Sequence, residues 1–302
     1  PRLAPVAFVK TANRAEGVAR AMDILEYRPA PGAHLFLKPH FNSVDPAPGS
    51  THPETLQALA AKLSAMGAGR LTVGDRSGMG DTRSVMRQLG ILRMATELNF
   101  ETLVFDDLQD TDWELIQIEG SHWARGFALP QPVLAADGVI QACCLKTHRY
   151  GGHFTLSLKN SVGLAAKYVP GEGYNYMGEL HNSTHQRRMI AEINAAYQPD
   201  LVVLDGVSAF TDGGPARGRL ANTQVVLAST DRVALDAVGV AILRLHGTTP
   251  AVSRGAVYEQ EQIARAVELG LGAAGPEEIE IRTDDKDSAA YAAQVLELLR
   301  NS

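Results

Sequence analysis

The sequence is poor in cysteine and has no long apolar run. Its two cysteines, Cys143 and Cys144, are adjacent. No disulfide framework, Cys-rich zinc site or four-Cys iron–sulfur site can be assembled from such a pair, so no iron–sulfur cluster is expected from this chain alone. No stretch approaches the roughly 20 apolar residues that a membrane helix needs, so a membrane partner is not expected. Basic excess is missing too. Twenty-eight Lys and Arg stand against 34 Asp and Glu, a net charge of −6. That disfavours a general nucleic-acid-binding surface while allowing a local basic pocket. The glycine-rich run Gly74–Gly80, after a strand and before a helix, is not GxGxxG, and no GxxxxGK[ST] occurs, so neither a dinucleotide fingerprint there nor a P-loop is supported. GxSxG and HExxH are absent as well, and with them the nucleophile elbow and the metalloprotease helix. No secretory leader is evident and a cytoplasmic location is expected; since the first residue is Pro1, an earlier removed leader stays open.

What remains is an ordinary globular composition, with 302 residues, 45% hydrophobic and 21% charged. Strand-like runs recur at His34–Lys38, Arg70–Gly74, Glu101–Phe105, Gly138–Leu145, Asp200–Leu204, Thr223–Ala228 and Glu278–Arg282. Short continuous apolar strands suit a sheet covered on both faces. Helical spacing falls between them at Pro53–Met66, Asp81–Leu98, Arg187–Tyr197, Asp231–Leu245 and Gln260–Leu269. Thr51 precedes the first of these as a cap and Gly67 ends it. This alternation predicts an α/β fold, a mainly parallel sheet with helices on both faces. A division into two α/β lobes is one arrangement of it. Residues 1–150 would form the first lobe and 151–302 the second, with a Gly/His-rich loop at 151–185 as the junction. A segment that long without clear periodicity reads as a binding loop or lid.

In open α/β sheets, ligands bind beyond the carboxyl ends of the strands. Those ends carry Lys38 and His40; Asp75, Arg76 and Ser77; Lys146 and His148; and Asp205. Taken singly, each is what any strand end carries as it enters wet loop. Taken together they describe an ionisable edge, and a lysine buried there needs a carboxylate or a bound anion. The stretch KTHRYGGHFTLSLKN (146–160) holds Lys146, His148, Arg149, His153, Lys159 and Asn160 around Gly151–Gly152. Clustered cations with hydroxyls and amides suit a carboxylate or phosphate. A divalent metal is a candidate cofactor, with His148, His153, His181 and His185 as its ligands; His181 and His185 are four apart in HNSTH. The bland reading of the loop is a solvated basic segment. Cys143 and Cys144 read as buried, inert thiols.

These motifs resemble those of the domain-of-unknown-function 362 family. The residues that carry the resemblance are Lys38-Pro39, Thr51-His52-Pro53, Gly74-Asp75-Arg76-Ser77-Gly78, Lys146-Thr147-His148, Leu156-Ser157-Leu158-Lys159-Asn160, His185-Gln186, Asp205-Gly206, Gly214-Pro215, Ser229-Thr230-Asp231 and Asp236-Ala237. The resemblance extends from about residue 35 to 275. His40 stands where the family usually has Asn after Lys-Pro. The ferredoxin-like cysteine module of many members is absent, so an electron-transfer role is not implied.

The expected function is an enzyme of isomerase or lyase type, with or without a metal, that acts on a small anionic substrate by proton transfer. Lys146, His148, His185 and Asp75 are the candidate catalytic residues. Lys38, His40, Ser77, Lys159, Asn160 and Asp205 are the candidate substrate contacts. The alternative is a non-catalytic protein that binds or delivers a metal or anionic cofactor. A small anionic ligand is the expected partner; oligomeric state is not legible.

Overall fold

The structure is a computed structural model that describes residues 3–301. Alternation of apolar side chains along its strands sorts the core into two faces of one sheet. Val202 and Leu204 pack on one face with Phe8, Leu145 and Leu227, under the helices Arg232–Leu245 and Lys286–Asn301. Leu201 and Val203 pack on the other with Leu35, Val73 and Ala228, under the helices Arg14–Ile24 and Pro53–Ala65. A third cluster covers the far end of the first face, built on Phe36, Phe105, Trp123 and Tyr176. Helices therefore lie on both faces, and the fold is α/β.

The strands are β1 Ala4–Lys10, β2 His34–Lys38, β3 Arg70–Asp75, β4 Glu101–Val104, β5 Trp113–Ile116, β6 Phe127–Pro130, β7 Gly138–His148, β8 His153–Thr155, β9 Leu201–Gly213, β10 Gly218–Ala221, β11 Val225–Ser229 and β12 Ile279–Arg282. The main sheet runs in the order β12-β1-β11-β9-β7-β2-β3-β4, with β8 paired to β7 and β10 to β9; β5 and β6 form a separate hairpin. The block β9-β7-β2-β3-β4 is parallel throughout, and β12 is parallel to β1. Only β11 reverses direction between β1 and β9, and β8 and β10 pair antiparallel as hairpins. The sheet is mostly parallel, as expected, and continuous from one side of residue 150 to the other.

The departures from expectation have local causes. The pattern at 81–98 is two helices, Thr82–Gln88 and Ile91–Leu98, because Gly90 adopts a left-handed φ of 78° between them. Strand β1 and the final helix are not among the expected segments; Asp285 caps that helix, where its carboxylate accepts the Ser288 backbone N–H at 2.9 Å. The strands β7 and β9 run past their apolar runs, to His148 and Gly213, because the hairpin partners β8 and β10 supply hydrogen bonds there. The segment 149–185 is partly ordered into β8, the short helix Ser157–Asn160 and the helix Tyr176–Asn182. Among the described residues, no helix is long and apolar enough to cross a membrane.

Candidate active site

Because β2, β3, β7 and β9 are parallel, their carboxyl ends open on one edge. A cavity of about 290 Å³ lies there. Its walls come from Lys38, His40 and Asn42 after β2, from Asp75, Arg76, Gly78 and Met79 after β3, and from His148 and Tyr150 at the end of β7. Lys159, Val162, Gly163 and Lys167 close it on one side, Met177 and His181 on another, and Pro215 in the turn after β9.

Charge is distributed unevenly in this wall. Lys38, Arg76, Lys146 and Lys159 are all buried around the site, and Asp75 is the one carboxylate lining the cavity among the described residues. Lys38 and Asp75 form an ion pair of 2.8 Å, completely out of water. Burial pushes Lys38 down and Asp75 up from their ordinary values, and each charge opposes that shift in its partner. Asp75 also accepts the backbone N–H groups of Phe41 (2.7 Å) and Arg76 (2.8 Å), donors that call for a carboxylate. Room for the pair comes from Gly163, where a Cβ would lie 2.5 Å from Asp75 Oδ1 and 2.8 Å from Lys38 Nζ.

The other cations differ in how far their donors are occupied. Lys38 Nζ also donates to the Pro39 carbonyl (2.5 Å) and to Asn160 Oδ1 (3.2 Å), so its three donors are used. Arg76 is spent on the carbonyls of Ala165, Val162 and Ser77. Lys146 Nζ donates to the carbonyls of Gly49 (2.6 Å) and Pro215 (2.9 Å), and burial pushes it down to about 8. Lys159 is 9% exposed and its Nζ makes no hydrogen bond or ion pair among the described residues. Burial first, then the charges of Lys146 and Arg76, push it down to about 7.

Three histidines line the cavity. His148 is held well below its ordinary value by burial, then by Lys159 and Lys146, and its Nδ1 is buried without a partner. His40 is shifted the same way by burial and the same lysines, and its Nε2 is unpartnered. Both rings are therefore neutral near pH 7. His181 Nδ1 donates to the Met177 carbonyl at 2.7 Å, which leaves Nε2 as the basic nitrogen.

A buried polar scaffold fixes the Lys159 turn. Asp236, on the helix Arg232–Leu245, accepts the backbone N–H groups of Ser157 (2.8 Å) and Leu158 (2.9 Å). Burial raises Asp236 to about 7, against those two hydrogen bonds. Ser157 Oγ donates to Gln141 Oε1 at 2.8 Å, and Asn194 Nδ2 donates to the Leu158 carbonyl at 3.0 Å.

Several expected site residues lie elsewhere. The four histidines proposed as a metal set do not converge. His153, with a left-handed φ of 66°, opens β8 opposite His148 and lines with it a second cavity, beside Asp212 and Thr249, that His181 and His185 do not reach. His185 precedes the helix Gln186–Ile193 and packs on His122, with ring centroids 4.5 Å apart. No group of three or more His, Cys, Asp or Glu is placed to hold a metal ion among the described residues. The four-residue spacing misled because Ser183 is extended, so His181 and His185 do not share one helix face. Asp205 points away from the cavity and binds Arg14 (2.8 Å) and Thr55 Oγ1 (2.8 Å). Ser77 is buried in the loop after β3, its backbone N–H on Thr82 Oγ1 and its Oγ unpartnered; Asn160 stands behind Lys38. Lys146 lies beneath the wall, reaching it through Pro215. Arg76 and Asp236 had no assigned role, although both sit within the motifs quoted above.

The family profile described as Domain of unknown function (DUF362) matches residues 35–241. The chain belongs to the DUF362 family. Every lining residue of the cavity lies inside that match. The DUF362 chain is also similar to a thylakoid-associated protein of Synechocystis, 29% identical over 230 residues, which is 72% of this chain and 65% of the relative. It thus spans about two-thirds of the length of that relative. Among solved structures it resembles the lactate racemase apoprotein of Thermoanaerobacterium thermosaccharolyticum, with 14% identity and a TM-score of 0.46 over 78% of this chain and 55% of that one. A Thermotoga maritima protein gives 12% identity and a TM-score of 0.47, over 84% and 58%.

Proposed function

We propose that this DUF362 protein is an enzyme that binds a small carboxylate in the cavity and moves a proton on the carbon skeleton beside it, as an isomerase or lyase does. The observation that carries this reading is the imbalance around one cavity, four buried basic side chains against one lining carboxylate. Buried charge without a counter-charge is costly, and a bound anion removes that cost. The cavity is of a size for a small organic acid.

The proton-transfer part is supported by the imidazoles. His148 is neutral and unpartnered at Nδ1, so it has no imidazolium proton to give at neutral pH, and a bound anion that offsets the charges of Lys159 and Lys146 would restore part of the basicity they and burial remove. His181 offers its basic Nε2 from a second wall. Lys159 and the electrostatic field of Lys38, Arg76 and Lys146 favour negative charge as it develops on the substrate carboxylate and the adjoining carbon.

The test is proton exchange. The protein is incubated in D2O with a panel of C2–C5 hydroxy-, oxo- and dicarboxylic acids, and loss of C–H signal is followed by NMR. Calorimetry on the same panel measures binding. Exchange that disappears in His148→Gln supports the reading. Tight binding with no exchange by any compound would mean a carrier of anionic ligands instead.

A further inference from the structure

The lysines around the cavity fall into two kinds. Lys38 has three acceptors and Lys146 has two, so both are held in place by their hydrogen bonds. Lys159 has none, is nine-tenths buried, and lines the cavity. An ammonium on a side chain so deeply buried, with no acceptor from the described residues, is a poor ground state. The neutral amine is the form this environment favours, and its loss of basicity to about 7 has that cause. A neutral amine that opens on a cavity is a nucleophile towards carbonyl carbon.

We propose that Lys159 forms a covalent imine with its substrate, and that the substrate class is therefore the small 2-oxo acids. This rests on the carboxylate-binding reading above and adds the bond. The position of the amine is prepared for such a role. Its turn is pinned by Asp236 and Gln141, and its neighbour Asn160 is tied to Lys38. His148 stands next to it across Gly152, where a Cβ would lie 2.6 Å from Lys159 Cε and 3.0 Å from His148 Nδ1.

The chemistry balances within these groups. The Lys159 lone pair forms the N–C bond, and one of the two amine protons passes to the former carbonyl oxygen. A second proton, taken up from solvent, lets that oxygen leave as water, and a C=N bond that keeps the other amine proton remains. His148 then takes a proton from the carbon next to the imine; the C–H electron pair becomes a C=C bond and the C=N π pair moves to nitrogen, which gives an enamine. Reprotonation of that carbon, or its attack on a second carbonyl, regenerates the iminium, and water releases the product and the free amine. No external oxidant or reductant is required.

The experiment is reductive trapping on the full chain. Protein is mixed with pyruvate and treated with sodium borohydride, with acetone as a neutral carbonyl of similar size in parallel. Intact mass and peptide mapping locate any adduct, and calorimetry with pyruvate and with lactate measures anion binding independently. The expected result is one adduct per chain on the Lys159 peptide with pyruvate, little with acetone, and loss of the adduct in Lys159→Met. Mapping on the wild-type chain keeps the test valid if that variant folds poorly. Binding of both acids without any trapped adduct overturns the imine and leaves the anion site standing. Absence of binding by either acid overturns both. Adducts scattered over exposed lysines such as Lys167 overturn the assignment to Lys159, and equal trapping of acetone overturns the 2-oxo acid class.

Discussion

Lys159 and His148 meet over the α-carbon of Gly152, the one place in the β7–β8 region where an added methyl group would strike both side chains. Gly152 is not in a left-handed conformation, so alanine is compatible with the backbone. The expected result for Gly152→Ala is a displaced Lys159 and at least about a tenfold loss of carboxylate affinity, about 1.4 kcal/mol. Thermal stability should change little by comparison. Calorimetric titration with small carboxylic acids, alongside a melting curve, checks both.

Lys38 and Lys159 should respond in opposite ways to loss of charge. Lys38→Met leaves Asp75 as an unpaired buried carboxylate, at a cost of about 3–5 kcal/mol. Lys159→Met leaves no carboxylate unpaired, so the protein should fold normally while losing about 1–3 kcal/mol of anion affinity, the scale of a charge-assisted hydrogen bond. Urea unfolding and calorimetry on both variants measure the contrast. A Lys159→Met protein as unstable as Lys38→Met would show a structural role for Lys159.

The pH dependence of that variant carries a definite sign. Lys159 titrates near 7 in the folded chain, below the 10.5 of the free side chain. Between those values the unfolded chain holds the proton and the folded one does not, so this group's contribution to stability rises with pH. Below pH 7 both states are protonated, and the folded protein bears the full cost of the buried charge. Lys159→Met should therefore be more stable than the wild type at pH 6, by a few kcal/mol at about 1.4 kcal/mol per pKa unit. That advantage should shrink steadily towards pH 10. Denaturant titrations of both proteins at several pH values, without added carboxylate, follow the difference.

Asp236 is expected to act through the Lys159 turn. Asp236→Asn replaces one acceptor oxygen with an NH2 group, which faces a backbone N–H that it cannot satisfy. A loss of about 1–3 kcal/mol in stability is expected. Carboxylate affinity should fall as well, although Asp236 does not line the cavity. Unchanged affinity in the folded variant would mean that the turn holds its position without this carboxylate.

Much of this was legible one segment at a time. The apolar runs at 34–38, 70–74, 138–145 and 200–204 named strands, because a strand buried on both faces must be apolar throughout. Their ends named Lys38, His40, Asp75 and His148, because polar groups at the carboxyl edge of a parallel sheet share one opening. Lys159 was legible as part of a cationic stretch. The special status of that lysine was not, since a hydrogen-bond inventory depends on neighbours remote in sequence: Gly49 and Pro215 occupy Lys146, while none of the described residues occupies Lys159.

By itself, the sequence determined the α/β class, the family and the cationic, histidine-bearing character of the strand ends, because these depend on residue type and local periodicity. Tertiary structure alone decided which of those ends share a cavity. Asp205, at the end of the apolar run 200–204, looks equivalent to Asp75 in sequence, yet β9 continues beyond it and its carboxylate turns to Arg14 and Thr55 under the opposite layer. His153 sits opposite His148 across the β7–β8 pair but lines a second cavity, and His185 is set apart from His181 by a new helix start. Side-chain direction in a strand alternates with every residue, and a loop can reverse it in two, so nearness in sequence cannot settle convergence in space.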